Sequence, residues 1–187
     1  MKTTASLTHI MLPLTLAALA AALVACPRQT ETASSAPAAK PAPAAAKLGM
    51  DEAGALQVSA GDRCPVCAMQ VKQHAKFACG MELASGTTFY FCGTGCLLRT
   101  WLHPERYVGA GRADIKRMMV KDYFSGEPAN AKEVSWIAGS DVVGPMGRAM
   151  VPLADPGQLE TFKQRHGFKK VFSLEQLDDT LWQELKP

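Results

Sequence analysis

The chain has 187 residues, 48% of them hydrophobic and 20% charged, with a formal net charge of +3. That charge is modest and forms no basic stripe with interleaved aromatics, which argues against nucleic-acid binding. No phosphate-binding P-loop, nucleophile elbow, HExxH helix or dinucleotide-binding glycine fingerprint is present, and four histidines are few for a histidine-rich catalytic zinc site.

Residues 1–26 read as an export leader. Lys2 supplies the positive start, Ile10 to Val24 is an apolar run, and Leu23-Val24-Ala25-Cys26 matches the lipobox of bacterial lipoproteins. The run is short for a membrane span and contains Pro13. Cys26 is therefore expected to carry lipid and become the mature N-terminus, an anchor rather than a ligand. The anchored protein would lie in the periplasm. Pro27 follows the anchor where a sorting Asp would stand, which points to the outer membrane. Residues 27–55 are rich in Ala, Pro, Thr and Ser and cannot bury enough apolar surface to offset the entropy of ordering, so a disordered tether is expected. The folded part is expected over residues 56–187, with lobes at about 56–111 and 112–187.

Setting Cys26 aside leaves Cys64, Cys67, Cys79, Cys92 and Cys96. Five thiols cannot all pair within one chain, so in an oxidising compartment at least one is free, metal-bound or intermolecular. Cys64-Pro65-Val66-Cys67 forms a knuckle that aims two sulfurs at one point, and Met69 adds a thioether two residues on. Thiolates suit zinc, Cu(I) and iron–sulfur clusters alike, and a thioether helps select Cu(I).

In the first lobe, Lys76–Leu83 and Thr87–Cys92 read as strands joined through Ala84-Ser85-Gly86, and Cys96–His103 reads as a helix ended by Pro104. Cys92 and Cys96 then bracket a strand-to-helix turn, where the helix dipole is expected to lower a thiol pKa. Cys79, inside a strand, reads as a small buried hydrophobe. His74, His103 and His166 read as an exposed residue, a helix end and a helix C-terminus. In the second lobe, Ile115–Phe124 reads as a strand, Ser125–Asn130 as a turn, and Val134–Ile137 with Arg148–Leu153 as a hairpin closed by a long loop over 139–147. A helix follows from Asp155-Pro156-Gly157 to His166, stopped by Gly167, then a strand at Lys170–Phe172 and a helix capped by Ser173 and Gln176. Hairpin, helix and strand occur twice. The expected fold class is α+β, with two related ββαβ lobes.

CPVCAM, FYFCGTGC and HPERY together resemble the small metal-binding modules of the YHS and TRASH type, with Ala68 standing where glycine is usual in the knuckle. The lipobox, the knuckle, KDYF, the block WIAGSDVVGPMGRAMVPL and the ending that begins HG resemble the NosL family of nitrous oxide reductase accessory lipoproteins. That resemblance spans residues 60–187. It implies a non-enzymatic, monomeric, lipid-anchored Cu(I) chaperone. Such a protein serves assembly of the copper–sulfide centre of that reductase and works with a membrane ABC transporter complex. It also implies Cys67 and Met69 as copper ligands and Met146, in GPMG, as a further candidate. Cys64, Cys92 and Cys96 are candidates to complete the sphere, although many members lack thiols at the strand-to-helix turn. Three readings compete with copper carriage. Four thiolates could hold a structural zinc in a protein-interaction module. Cys64 and Cys67 could serve thiol redox chemistry, or the chain could cleave organomercurials.

Overall fold

The computed structural model describes residues 43–185. The leader, the lipobox with Cys26 and most of the tether lie outside the described residues. The described residues contain no helix long and apolar enough to cross a membrane.

Two antiparallel sheets are built on the same plan. In the first, β1 (Cys79–Leu83) is flanked by β2 (Thr88–Phe91) on one side and β3 (Ile115–Lys121) on the other. The helices α1 (Thr94–Leu102) and α2 (Pro104–Val108) intervene between β2 and β3. In the second, β5 (Ser135–Ala138) is central, with β8 (Val151–Leu153) and β9 (Lys170–Phe172) at its sides, and α3 (Leu159–His166) between them. First strand in the middle, second beside it, helix, third strand on the far side: this is ββαβ in both lobes. A last helix, α4 (Asp179–Leu185), follows a 3-10 turn at Leu174–Gln176, where Gln176 Oε1 accepts from Ser173 N at 2.8 Å.

The lobes share a core. Strand β5 alternates with period two, so Trp136 and Ala138 join the large core that also holds Cys79, Met81, Phe91 and Leu97, while Ile137 points into a second cluster with Val151, Leu153 and Phe162. Trp136 stacks on Phe172 across the β5–β9 ladder and donates from Nε1 to Ala131 O at 2.9 Å. Asp122, just past β3, ties the lobes. One oxygen accepts from Ala154 N of the second lobe at 2.7 Å, and the other accepts from Phe124 N, Ser125 N and Ser125 Oγ.

Five features differ from the sequence expectation. The strand expected at Ile115–Phe124 in the 112–187 lobe is β3 of the first sheet, because it pairs with β1, so the boundary between the lobes falls after it and not at about residue 111. The segment from Ala46 to Gln57, assigned largely to the tether, lies on the first sheet. Met50 and Leu56 cover Gly80, where a Cβ would come within 2.7 Å of both, and Arg117 binds the carbonyls of Met50, Asp51 and Glu52 while pairing with Glu82. Composition concealed this because a few anchors and one guanidinium hold an otherwise nondescript stretch. Pro104 does not merely end α1; it opens α2 at the first-turn position, where its missing N–H is no loss. The turn at 125–130 gives way to β4 (Pro128–Asn130), an edge strand on β3. The 139–147 loop contains a two-stranded hairpin, β6 (Val143–Gly144) with β7 (Gly147–Arg148), which leaves Pro145 and Met146 at its tip.

Candidate metal centre

The knuckle folds for local reasons. Pro65 restrains the turn, Ala68 N donates to Cys64 O at 2.8 Å, and Cys64 N donates to Met69 O at 2.9 Å. An isolated bridge between Arg63 and Gln70 closes the base, and Arg63 Nη1 reaches Ala68 O. The chain turns at Ala68, whose φ of 61° is the left-handed conformation that a Cβ disfavours. Glycine is usual here in such knuckles because only glycine adopts that conformation without strain.

The second pair of thiols comes from the β2-to-α1 turn. Gly93 is the N-cap of α1 and Cys96 lies in its first turn. The knuckle and this turn meet. One sulfur from each of Cys64, Cys67, Cys92 and Cys96 lies within 4.8 Å of the other three. Cys67 Sγ is 3.4 Å from Cys92 Sγ and 3.9 Å from Cys96 Sγ, and Cys92 and Cys96 are 3.8 Å apart. A metal with four thiolates at about 2.3 Å requires sulfur–sulfur edges of ~3.8 Å, so the cluster has the dimensions of such a coordination sphere. Cys64, Cys92 and Cys96 are buried and Cys67 is half-buried, so Cys67 is the sulfur nearest to solvent.

The cluster also has an uneven charge. Thiols of Cys92 and Cys96 donate to Cys64, and backbone N–H groups of Cys92 and Cys67 add to them, which outweighs burial and pulls Cys64 well below the ordinary thiol range. The Cys64 thiolate then needs those protons, so Cys92 and Cys96 are held above that range, burial adding to the effect. The helix dipole was expected to lower the pKa at this turn. At Cys92 and Cys96 the net shift is upward instead, its largest cause the neighbouring Cys64. A bound cation would displace the protons, since metals take the thiolate.

The remaining sequence candidates have separate places. Met69 is half-buried against the main core and closes the knuckle through its backbone. Met146 stands at the β6–β7 tip, 49% exposed, on a cavity of about 320 Å³ that is also lined by Cys96, Arg99, Met150 and Trp182. Cys79 is not in the cluster; it is fully buried, donates to Phe77 O at 3.2 Å, and burial pushes its thiol up. His74 is half-buried in a 3-10 turn, and His103 pairs with Asp179 at 2.8 Å. Sequence reasoning gave His166 no role beyond its helix end. It bridges Asp141 and Tyr123, and the only hint was that all three fall in the KDYF, GSDVVGPMG and HG segments.

Fold and site together define a two-lobed α+β protein with a cluster of four thiols of a size to hold a soft metal ion. The NosL family model matches residues 55–182, and the chain belongs to that family. Among solved structures, it is similar to the crystal structure of the copper chaperone NosL from Shewanella denitrificans. The TM-score is 0.56 at 20% identity, over 70% of this chain and 99% of that one. At that identity the likeness speaks for the fold. Comparison with curated proteins finds no match.

Proposed function

We propose that the chain is a Cu(I) carrier that takes up the ion in the Cys64–Cys67–Cys92–Cys96 cluster and hands it on without catalytic turnover. The observation that carries this reading is the convergence of four sulfurs, from two separate turns, in a NosL-family chain. Soft thiolates favour a monovalent coinage ion over harder cations, and Cu(I) needs fewer than four of them. Cys67, half-buried, is the sulfur an incoming ligand can reach first; Met69 beside it and Met146 across the cavity are soft auxiliary donors. Leader and lipobox support a lipid-anchored protein in the periplasm, with the outer membrane favoured by Pro27. The family resemblance supports delivery to the assembly machinery of the nitrous oxide reductase copper–sulfide centre, with an ABC transporter complex as partner and a monomeric carrier.

Competition with a chromophoric Cu(I) chelator tests the reading. Reduced chain should bind about one Cu(I), and Cys67→Ser should bind it more weakly; equal affinity would contradict the assignment. A second reading is favoured by the sulfur–sulfur distances of 3.4 to 3.9 Å, which also suit a closed tetrahedral zinc site in an interaction module. Elemental analysis separates the two: stoichiometric zinc that Cu(I) cannot displace favours the module.

A further inference from the structure

The β6–β7 hairpin lies against the β2-to-α1 turn between Cys92 and Cys96. Pro145 packs on Gly93, between Cys92 and Cys96, so closely that a Cβ at Gly93 would lie 3.3 Å from Pro145 Cδ. Met146 follows at the tip, and its cavity reaches Cys96. Only four residues pair in this hairpin, so its own ladder is a weak restraint.

The restraint comes from the stem. Asp141 Oδ1 lies 2.8 Å from His166 Nδ1, and His166 Nε2 lies 2.8 Å from Tyr123 Oη. An ionised Asp141 can only accept, so His166 Nδ1 donates to it, and Nε2 makes the hydrogen bond with the Tyr123 hydroxyl. The main chain doubles the link, with Asp141 N donating to His166 O at 3.3 Å, and Arg148 Nη1 donates to Ser140 O at 2.8 Å on the other arm. Tyr123 is itself fixed, its N–H on Pro152 O and its ring edge-on to Phe162. Two segments distant in sequence, the end of α3 with His166 and the turn after β3 with Tyr123, thus converge on the loop that carries Asp141 and Met146.

We propose that Asp141, His166 and Tyr123 form a positioning chain that holds Met146 beside the Cys92–Cys96 turn, so that its thioether receives the ion as it leaves Cys96. The inference rests on the reading of the cluster as a carrier site. Positioning and passive cover differ in sign. Loosening a passive cover speeds release, whereas displacing a receiving ligand slows it.

Transfer of Cu(I) from the loaded chain to a chromophoric chelator is measured for Met146→Ala, His166→Ala, Asp141→Ala and the Met146/His166 double variant. His166→Ala and Asp141→Ala should each slow transfer about fivefold, the size expected from losing one such hydrogen bond; Met146→Ala, which removes the receiving thioether, should slow it at least as much, and the double should be no slower than Met146→Ala. His166→Gln, which retains one hydrogen-bonding arm, should recover part of the rate. Faster or unchanged transfer, or fully additive effects, would overturn the proposal. Asp141 lies at the surface, so its variant serves where His166→Ala folds poorly. A metal-free arm separates this inference from the carrier reading: amide exchange over residues 142–149 should quicken in Asp141→Ala while the rest of the chain keeps its protection. Unchanged hairpin protection overturns the positioning role whether or not copper binds, and absence of copper uptake by wild-type chain overturns the carrier reading and with it the receiving role of Met146.

Discussion

Cys67 Sγ and Cys92 Sγ lie 3.4 Å apart although 25 residues separate them, because the knuckle and the β2–α1 turn fold against each other. The pair couples the two halves of the site. Replacing either sulfur should lower metal affinity by at least about tenfold, since even residues that only orient a ligand act on that scale. Cys67→Ser and Cys92→Ser compared by chelator competition check this, and Cys79→Ser, outside the cluster, should leave metal affinity unchanged.

The knuckle carries a removable strain. Ala68 is exposed and left-handed, and its side chain makes no packing contact that glycine would forfeit in the core. Ala68→Gly should stabilise the metal-free domain by about 1 kcal/mol, or raise Tm by about 3 °C, after the entropy cost of glycine is counted. Thermal unfolding measures it; a lower Tm would mean the turn at 68 is not the strained point.

Alkaline pH should destabilise the metal-free domain. Cys92 and Cys96 are held above their ordinary value of 9.0 by the Cys64 thiolate, and Cys79 is held above it by burial. A raised thiol contributes stability that is complete below its unfolded value and is lost as pH climbs above it. Cys64, lowered, contributes the opposite way, in full above 9 and draining as pH falls toward its folded value. Above about pH 9, where Cys64 has reached its full contribution, the raised thiols therefore set the sign, and Tm should fall between about pH 9 and about pH 11. Cys96→Ser should flatten that fall, and metal loading, which replaces the protons, should abolish the cluster's share.

The link between lobes should be sensitive to acid and to truncation. Burial raises the Asp122 carboxyl, but the N–H groups of Ala154, Ser125 and Phe124 and the Ser125 hydroxyl outweigh it, and the net shift is downward. Its contribution is present above the ordinary carboxylate range and lost as pH falls through its lowered value. Asp122→Ala should cost about 3 kcal/mol, the upper range for hydrogen bonds to a buried charged group, as read by urea unfolding.

Local pattern made much of this legible. The β1–β2 hairpin, α1, the β5–β8 pairing and α3 followed from alternation, turn residues and caps, and the repeated order of those elements announced two ββαβ lobes. Spacing also nominated Cys64, Cys67, Cys92 and Cys96. A single four-thiolate site was among the readings of that spacing, and the structure brings the four sulfurs together; what the spacing did not contain is the packing of the β2–α1 turn on the knuckle that leaves Cys67 less buried than the other three. The weakest signals failed first. Strand β4 carries Pro128 and Asn130, and β6–β7 is glycine and proline among three exposed side chains, Val143, Met146 and Arg148, so neither has strand composition. His166 looked complete as a helix end because its partners Tyr123 and Asp141 lie 43 and 25 residues away.

X-ray absorption at the copper edge of the reduced, Cu(I)-loaded chain bears most directly on the carrier site. A first shell of sulfur alone, with fewer sulfur neighbours in Cys67→Ser, is the expected outcome. A shell of nitrogen and oxygen, or folded chain that takes up no Cu(I), would contradict it.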